Sequence, residues 1–234
     1  MRKIVFLLFV LVSGMTVNAQ QINDPNAQVR EAKNYHGVSV SSAFDVYLSQ
    51  GTEEGVAVSA ASTKDRDMIT VEVKEGVLHI GLDRNWKWNS GNKKLKAYIS
   101  VKQIDKLIVS GACDVFIKGV LKAEVLSIHQ SGASDVKGQL DVNKLTVDLS
   151  GASDMTVTGT ATQLSVEASG ASDFKGYDLV TEKCDARASG ASDIRITVNG
   201  ELSAHASGAS DVKYKGGGVI RDIKSSGSSS VSKG

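Results

Sequence analysis

Apolar and polar residues alternate along most of this chain. Around Gly151, one parity holds Leu145, Val147, Leu149, Met155 and Val157, and the other holds Thr146, Asp148, Asp154, Thr156 and Thr158. A period of two residues is typical of a half-buried β-strand and does not fit a helix. The same alternation surrounds later glycines, so the pattern predicts an all-β chain.

The pentapeptide Ser-Gly-Ala-Ser-Asp interrupts this alternation at nearly regular intervals. Six copies are near-identical, with Cys113 replacing the second serine in the first, and a degenerate copy occupies 226–230. The glycines are 21, 19, 19, 20, 18 and 19 residues apart, at Gly111, Gly132, Gly151, Gly170, Gly190, Gly208 and Gly227. Such a unit cannot bury its apolar face alone, so like units stack into a solenoid.

We therefore predict a single-stranded parallel β-helix, or β-solenoid, with rungs of about 19 residues. A left-handed β-helix requires a strict hexapeptide period, which this drifting unit lacks, and parallel crossovers are generally right-handed. Both arguments favour a right-handed coil. Each rung is expected to bend at the motif glycine, with further turns at Gly138, Gly159, Gly176, Gly200 and Gly216.

The region before the repeats is rich in strand patterns but irregular. Apolar runs predict strands at 37–40, 46–48, 55–58, 69–73, 77–80 and 96–101. Ser41-Ser42-Ala43-Phe44-Asp45 is a degenerate copy of the motif, with Ser42 in place of glycine. We predict a solenoid over 35–234, with irregular opening rungs at 35–109, the motif repeats at 110–234, and a separate N-terminal segment at 20–34.

The run Gly37-Val38-Ser39-Val40 to Gly51, followed by the motif array, resembles the "putative auto-transporter adhesin, head GIN domain" family, which is common in Bacteroidetes. The resemblance extends over most of the chain after residue 19. It implies a right-handed parallel β-helix at or outside the cell envelope. The adhesin label is itself an inference from fold, and fold alone does not establish function.

Residues 1–19 have the organisation of a secretory signal peptide. Arg2 and Lys3 precede an apolar run from Ile4 to Val12, and Val17-Asn18-Ala19 supplies a small-residue cleavage site. The apolar run is too short to span a bilayer. The sequence thus predicts an exported protein without a membrane span, located in the periplasm, on the outer surface or outside the cell.

The charge balance bears on the partner, and the two cysteines are too few for a disulfide scaffold. Of 27 basic and 26 acidic residues, two basic ones lie in the signal peptide, which leaves 25 against 26. This balance gives no reason to expect a nucleic acid or an anionic membrane as partner. Cys113 and Cys184 should lie about four rungs, or roughly 19 Å, apart, which is too far for a disulfide.

Six motif aspartates are expected to form one outward-facing column. They are Asp114, Asp135, Asp154, Asp173, Asp193 and Asp211. Lys137, Lys175, Arg195 and Lys213 stand two residues further on and face the same way, which favours a ladder of ion pairs. A calcium column is the alternative, but Ca²⁺ takes six to eight oxygen ligands and one carboxylate per rung supplies too few. We therefore predict neither a metal nor a cofactor.

The residues two positions after each glycine are expected to point inward. Phe44, Cys113, Ser134, Ser153, Ser172, Ser192, Ser210 and Ser229 share this position. Exposed phenylalanine and cysteine are uncommon, which favours burial. The buried serines should then hydrogen-bond to neighbouring rungs.

One insertion, 83–94, contains both tryptophans. Trp86 and Trp88, with Asn85 and Asn89, are suited to stacking against a sugar and hydrogen-bonding its hydroxyls. The alternative is that the tryptophans cover the open apolar side of the solenoid. These four residues are the ligand-binding candidates of the sequence.

No catalytic residues are predicted, because the acids repeat evenly instead of gathering in one groove. We interpret the chain as an exported, non-catalytic, adhesin-like or scaffolding module that binds a glycan or an envelope protein, with homo-oligomerisation through a flat small-residue strip also open. The alternatives are a carbohydrate-active enzyme on a parallel β-helix and a purely structural envelope protein.

Overall fold

A computed structural model describes residues 24–87 and 94–234. It is a β-solenoid of about seven turns with rungs of about 19 residues, as the sequence predicts. The predicted signal peptide at 1–19 lies outside the described residues, as do Trp88 and Asn89.

Sixteen strands and one short helix are present in the described residues. The strands are β1 (Gln28–Arg30), β2 (Gly37–Val40), β3 (Asp45–Gln50), β4 (Gly55–Ser59), β5 (Ile69–Lys74), β6 (Val77–Leu82), β7 (Lys96–Val101), β8 (Lys106–Val109), β9 (Asp114–Gln130), β10 (Asp135–Leu149), β11 (Asp154–Ala168), β12 (Asp173–Ala188), β13 (Asp193–Gly208), β14 (Asp211–Lys215), β15 (Val219–Gly227) and β16 (Ser230–Lys233). The helix α1 (Thr63–Asp67) begins at the N-cap Ser62. All six strands expected before the repeats are found.

The repeat strands pair in parallel and in register. Asp135 lies beside Asp154, Asp154 beside Asp173, and the alternation of side chains is kept from rung to rung. We call the residues just after each motif aspartate, such as 154–157, the first face, and those just before each motif, such as 145–149, the second face. Inward residues such as Leu145, Val147 and Met155 are fully buried.

The motif corner joins the second face of one rung to the first face of the next. The motif glycines have positive φ angles, for example 77° at Gly151, which L-residues with a side chain rarely adopt. The N–H of the following alanine donates to the glycine carbonyl of the preceding rung, so Ala152 N lies 2.7 Å from Gly132 O. The hydrogen-bond ladder therefore continues around the corner.

The inward column at the corner agrees with the prediction, but its hydrogen bonds differ. Ser134, Ser153, Ser172, Ser192 and Ser210 are all 0 % exposed, and Cys113 is equally buried. Each of these hydroxyls donates mainly to the carbonyl three residues earlier in its own rung, as Ser153 does to Ser150 O at 2.7 Å. Two of the five also reach a carbonyl of the preceding rung at 3.1 Å or less, for example Ser192 Oγ to Ala168 O at 2.9 Å. The bond within the rung is favoured because a serine side chain at this position already points back toward the carbonyl three residues earlier.

Two of the glycines expected in turns lie instead at inward strand positions. Gly138 pairs with Val157, and Gly176 pairs with Ile196. A Cβ at Gly176 would lie 2.4 Å from Phe174 Cε1, and one at Gly138 would lie 2.3 Å from Ile117 Cβ. These glycines make room for large inward neighbours and do not reverse the chain.

The opening rungs do not stack in chain order. β2 lies between β6 and β8, and β3 lies between β7 and β9. The chain therefore forms the rung of β2 and β3 first. It then forms the outermost rung, of β6 and β7, on one side of that rung, and continues with β8 and β9 on the other side. Antiparallel strands cover this end, with β5 on β6, β4 on β7 and β1 on β4; we call β1, β4 and β5 the N-terminal cap.

Both cysteines are free and buried, as the spacing predicted. Burial raises the pKa of both thiols. Neither is therefore a reactive thiolate at neutral pH. No helix among the described residues is long and apolar enough to cross a membrane.

Candidate functional site

The first face carries a ladder of carboxylates and cations. Lys175 Nζ lies 2.7 Å from Asp154 and 3.4 Å from Asp173, on consecutive rungs. Arg195 bonds Asp193 at 2.9 Å and approaches Asp173 at 3.9 Å. Hydrogen bonding to Asp154 raises the pKa of Lys175, despite the opposing effect of burial. These pairs link neighbouring rungs and offset the repulsion within the aspartate column.

The ladder is not neutralised at its N-terminal end. Asp45 and Asp114 are adjacent in register, and within the described chain no cation lies within ion-pair distance of either. Partial burial raises the pKa of Asp114, and the charges of Asp135 and Asp45 raise it further. The described residues contain no group of three or more His, Cys, Asp or Glu placed to hold a metal ion.

Beside these two aspartates lies a stack of three aromatic rings. Tyr47 is stacked on Tyr98 with ring centroids 5.2 Å apart, and on Phe116 at 5.6 Å. Lys118 Nζ lies 5.2 Å from the centre of the Tyr47 ring. The ring faces are turned toward one another, so they stabilise the strand stack and leave little face for a ligand.

Sequence reasoning missed this stack, although part of its signal is present. Tyr47 and Phe116 each stand two residues after a motif aspartate, in the column that Lys137 continues. Aligning the motif copies would have placed them side by side. Tyr98 lies on β7, which follows no motif copy, so nothing in the sequence gave its register.

A groove of about 850 Å³ lies where the opening rungs meet the repeats. One wall is formed by His36 and by residues 103–105 between β7 and β8. The other is formed by the bends of β9, β10 and β11, at 122–125, 141–143, 160 and 162. We call this the side groove; it is concave, as ligand sites commonly are.

The walls of the side groove are polar and its floor is partly apolar. Asn143 Nδ2 donates to Glu124 at 2.6 Å, Thr160 donates to Asp141 at 3.0 Å, and Lys122 lies 3.4 Å from Asp141. Val142 and Ile104 are buried beneath, whereas Val125 is 50 % exposed. Amide, hydroxyl and carboxylate groups thus surround an apolar patch.

His36 fixes the position of one wall. Its Nδ1 lies 2.8 Å from Asp105, and both side chains are about half exposed. Its backbone N–H donates to Gly76 O, and its carbonyl accepts from Asp105 N. His36 therefore ties the β5–β6 turn and the β7–β8 connection to the start of β2.

The structure describes two of the four residues of the predicted tryptophan site. Asn85 is exposed in a turn, where its side chain and backbone N–H both bond to Asp83. Trp86 is half-buried and packs against the core. The position of Trp86 agrees with the covering role, while ligand binding by Trp86, Trp88, Asn85 and Asn89 stays a prediction.

Three residues of the second face have the hydrogen bonds of a Ser-His-Asp triad. Ser127 Oγ lies 3.0 Å from His129 Nε2, and His129 Nδ1 lies 2.8 Å from Asp148. Catalysis also requires N–H donors for the oxyanion. The N–H of Ser127 donates to Asp105 O, and β9 is paired on both sides here, so its N–H groups are engaged in the ladder. The backbone N–H groups next to Ser127 are therefore already bonded within the sheet.

By its fold and surfaces, this protein is a β-solenoid with an irregular N-terminal cap and a polar side groove. Residues 34–218 match the family model described as "Putative auto-transporter adhesin, head GIN domain". The chain belongs to this family. No curated protein matches the chain.

Three solved structures have a similar fold. A putative adhesin from Bacteroides fragilis is 23 % identical with a TM-score of 0.83, covering 88 % of this chain and 95 % of its own. A putative lipid binding protein from Parabacteroides distasonis is 21 % identical with a TM-score of 0.67, covering 90 % and 98 %. A putative adhesin from the same species is 18 % identical with a TM-score of 0.65, covering 89 % and 96 %. At these identities the likeness establishes the fold alone.

Proposed function

We propose that this protein is an exported, non-catalytic, adhesin-like binding module of the cell envelope, and that it binds an uncharged glycan in the side groove. The adhesin-like description of the family supports the general class. The choice of a glycan as the ligand rests on the side groove, a concave site of about 850 Å³ with polar walls and a partly apolar floor.

The chemistry of the groove favours hydroxyl-rich ligands. Glu124 and Asp141 accept hydrogen bonds, and Asn143 both donates and accepts. The exposed side chain of Val125 offers an apolar surface to the C–H face of a sugar ring. An oligosaccharide presents both kinds of group.

The charges of the groove disfavour an acidic ligand. Three carboxylates, from Asp105, Glu124 and Asp141, face one lysine, Lys122, and one histidine, His36. Sulfated or uronic acid glycans would meet net negative charge and be repelled. In this open groove, a lipid tail would keep its apolar surface in contact with polar walls and water. This favours a sugar over a lipid.

A glycan array followed by calorimetry with the best neutral hit tests this proposal. Glu124→Ala removes a groove acceptor that is bonded to Asn143. Losing a hydrogen bond to a charged group costs about 1.5–3 kcal/mol, so binding should weaken by about tenfold or more. Glu167→Ala is the matched control, since Glu167 is exposed on the second face, outside the groove.

Equal affinities for the two variants would contradict the groove as the site. A preference for acidic glycans would contradict the charge argument. Trp86→Ala in the same assay tests the tryptophan site that the sequence predicts. If Trp86→Ala loses glycan affinity and Glu124→Ala does not, the binding site is the 83–94 insertion and not the groove.

Export and the absence of catalysis have separate tests. We expect N-terminal sequencing of the envelope or secreted protein to begin at Gln20, after cleavage behind Ala19. We expect no labelling of Ser127 by a fluorophosphonate, because the backbone N–H groups around it on β9 are engaged in the strand ladder. Labelling that disappears in His129→Gln would favour the enzyme alternative.

A further inference from the structure

The two ends of the solenoid are built differently. At the N-terminal end, the antiparallel cap of β1, β4 and β5 covers the outermost rung. At the other end, within the described residues, β15 pairs with β13 alone and β16 pairs with β14 alone. The outer edges of these two strands therefore present backbone N–H and C=O groups without a strand partner.

The apolar interior is open at this end. Ile220 and Ile223 follow Leu202 and Ala204 in register, at inward positions. Leu202 and Ala204 are 1 % and 0 % exposed, whereas Ile220 and Ile223 are 47 % and 38 % exposed. Val219 beside them is 58 % exposed. A free strand edge and an apolar surface thus occur together.

The charges along β15 alternate in sign. Arg221 is followed by Asp222, and Lys224 comes two residues later on the same side as Asp222. A row of cations alone would discourage pairing of two such edges. With a carboxylate between the cations, the strand is complementary to itself when it is reversed.

We propose that β15 pairs antiparallel with β15 of a second copy of this chain, with Ile223 opposite Ile223. In that register Asp222 of each copy faces Lys224 of the other, and the apolar ends of the two solenoids meet. Opposite charges that face each other across a strand pair stabilise the pairing. The interface is isologous, so the dimer closes and does not grow into a fibre.

The charges of β15 remain accessible to a partner. Asp222 already accepts from Lys224 at 2.7 Å and bonds His205 at 2.9 Å. The side chains of Lys224 and Asp222 are nevertheless 69 % and 43 % exposed. A carboxylate has about four acceptor sites, so it can bond a second lysine.

Multi-angle light scattering and native mass spectrometry of the chain from residue 20 test this dimer. We expect the unmodified chain to be a dimer. Asp222→Lys and Lys224→Asp should each be monomeric, because like charges then face each other. An equimolar mixture of these two variants should form a heterodimer, in which lysine faces aspartate at both positions.

Asp185→Lys is the control, since it changes the charge of the second face away from the end and should leave the dimer intact. Circular dichroism of each variant verifies the fold. A monomeric wild-type chain would overturn the proposal, and so would a dimer that persists in both charge variants. If both variants are monomeric and the mixture is too, the proposed register is wrong. Glycan binding by the monomeric variants keeps this test separate from the function of the side groove.

Discussion

At the scale of single residues, the motif glycine is constrained twice. Gly170 has a φ of +78°, and a Cβ there would lie 2.5 Å from Gly151 O in the neighbouring rung. Strain in the backbone and a clash with a ladder carbonyl therefore coincide. Ser42, at φ +93°, is the exception in this column, and it lies in the degenerate copy of the motif.

Gly170→Val should strongly destabilise the protein. A β-branched residue is strained at positive φ, and its side chain would push apart two rungs that are hydrogen-bonded around the corner. We expect a loss of about 3 kcal/mol or more, measured by chemical denaturation. Ala171→Ser, at an exposed neighbour, should change stability by less than about 0.5 kcal/mol. Equal losses would show that the corner is not the constraint.

The aspartates of the column should differ in their effect on stability. Within the described residues no cation lies within ion-pair distance of Asp114, and its pKa is raised, so its charged form costs stability above that pKa. Asp114→Asn should raise the melting temperature at neutral pH by about 1–3 °C. Asp154→Asn should lower it, because Asp154 pairs with Lys175 at 2.7 Å.

The effect of Asp114→Asn on stability should depend on pH. A carboxyl group whose folded pKa is raised binds its proton more tightly in the folded state. The cost of its charge therefore disappears as the pH falls below its ordinary pKa, at about 4. Thermal melts across this range should show the gain from Asp114→Asn shrinking with acidification, and a constant gain would contradict the electrostatic cause.

At the scale of elements, an inward-facing glycine on a strand leaves the space that a large inward-facing neighbour fills. Phe174 on β12 is fully buried, and Gly176 leaves the space beside its ring. The φ of Gly176 is not in the left-handed region, so an alanine meets no backbone strain there. Space alone decides the effect of this substitution.

Gly176→Ala should destabilise the protein by about 1–3 kcal/mol through overpacking. Phe174→Leu replaces the ring that the new methyl group would meet with a shorter side chain. In the double variant, the cost of the alanine should therefore be smaller than in the wild-type background, as measured by a double-mutant cycle. Strict additivity would contradict the contact.

The strands and the repeat rungs could be read from the sequence because each rung repeats the same alternation and the same corner. The stacking order of β2, β6 and β8 could not. The segment that joins β6 to β7, at 83–95, has no motif copy, so no residue indicates that this rung lies outside β2 and β3. Local patterns specify strands, whereas the order of these rungs depends on contacts between distant segments.

The candidate site was harder to predict for the same reason. His36, Asp105 and Asp141 are far apart in the chain and have no shared motif, and they meet through the path of the opening rungs. Sequence reasoning favoured the tryptophans because aromatic residues are a local signal. A groove formed by distant segments has no such signal.

At the scale of the whole molecule, repetition and its interruption have different roles. The motif rungs provide a rigid stack whose outward charges are largely paired. The side groove, the N-terminal cap and the open C-terminal edge all lie where the repetition begins or ends. Features that could recognise a partner are therefore expected at these ends, on a scaffold that holds them in place.

The motif copies stack in register, one rung at a time. Pulsed electron spin resonance measures this directly, with spin labels at the exposed motif alanines. A background of Cys113→Ser, which restores the motif, and Cys184→Ala removes the native thiols. Labels at Ala133 and Ala209, four rungs apart, should be about 19 Å apart, and labels at Ala112 and Ala209, five rungs apart, about 24 Å. A difference of about 5 Å between the two pairs supports the stack, whereas equal distances or a decrease would contradict it.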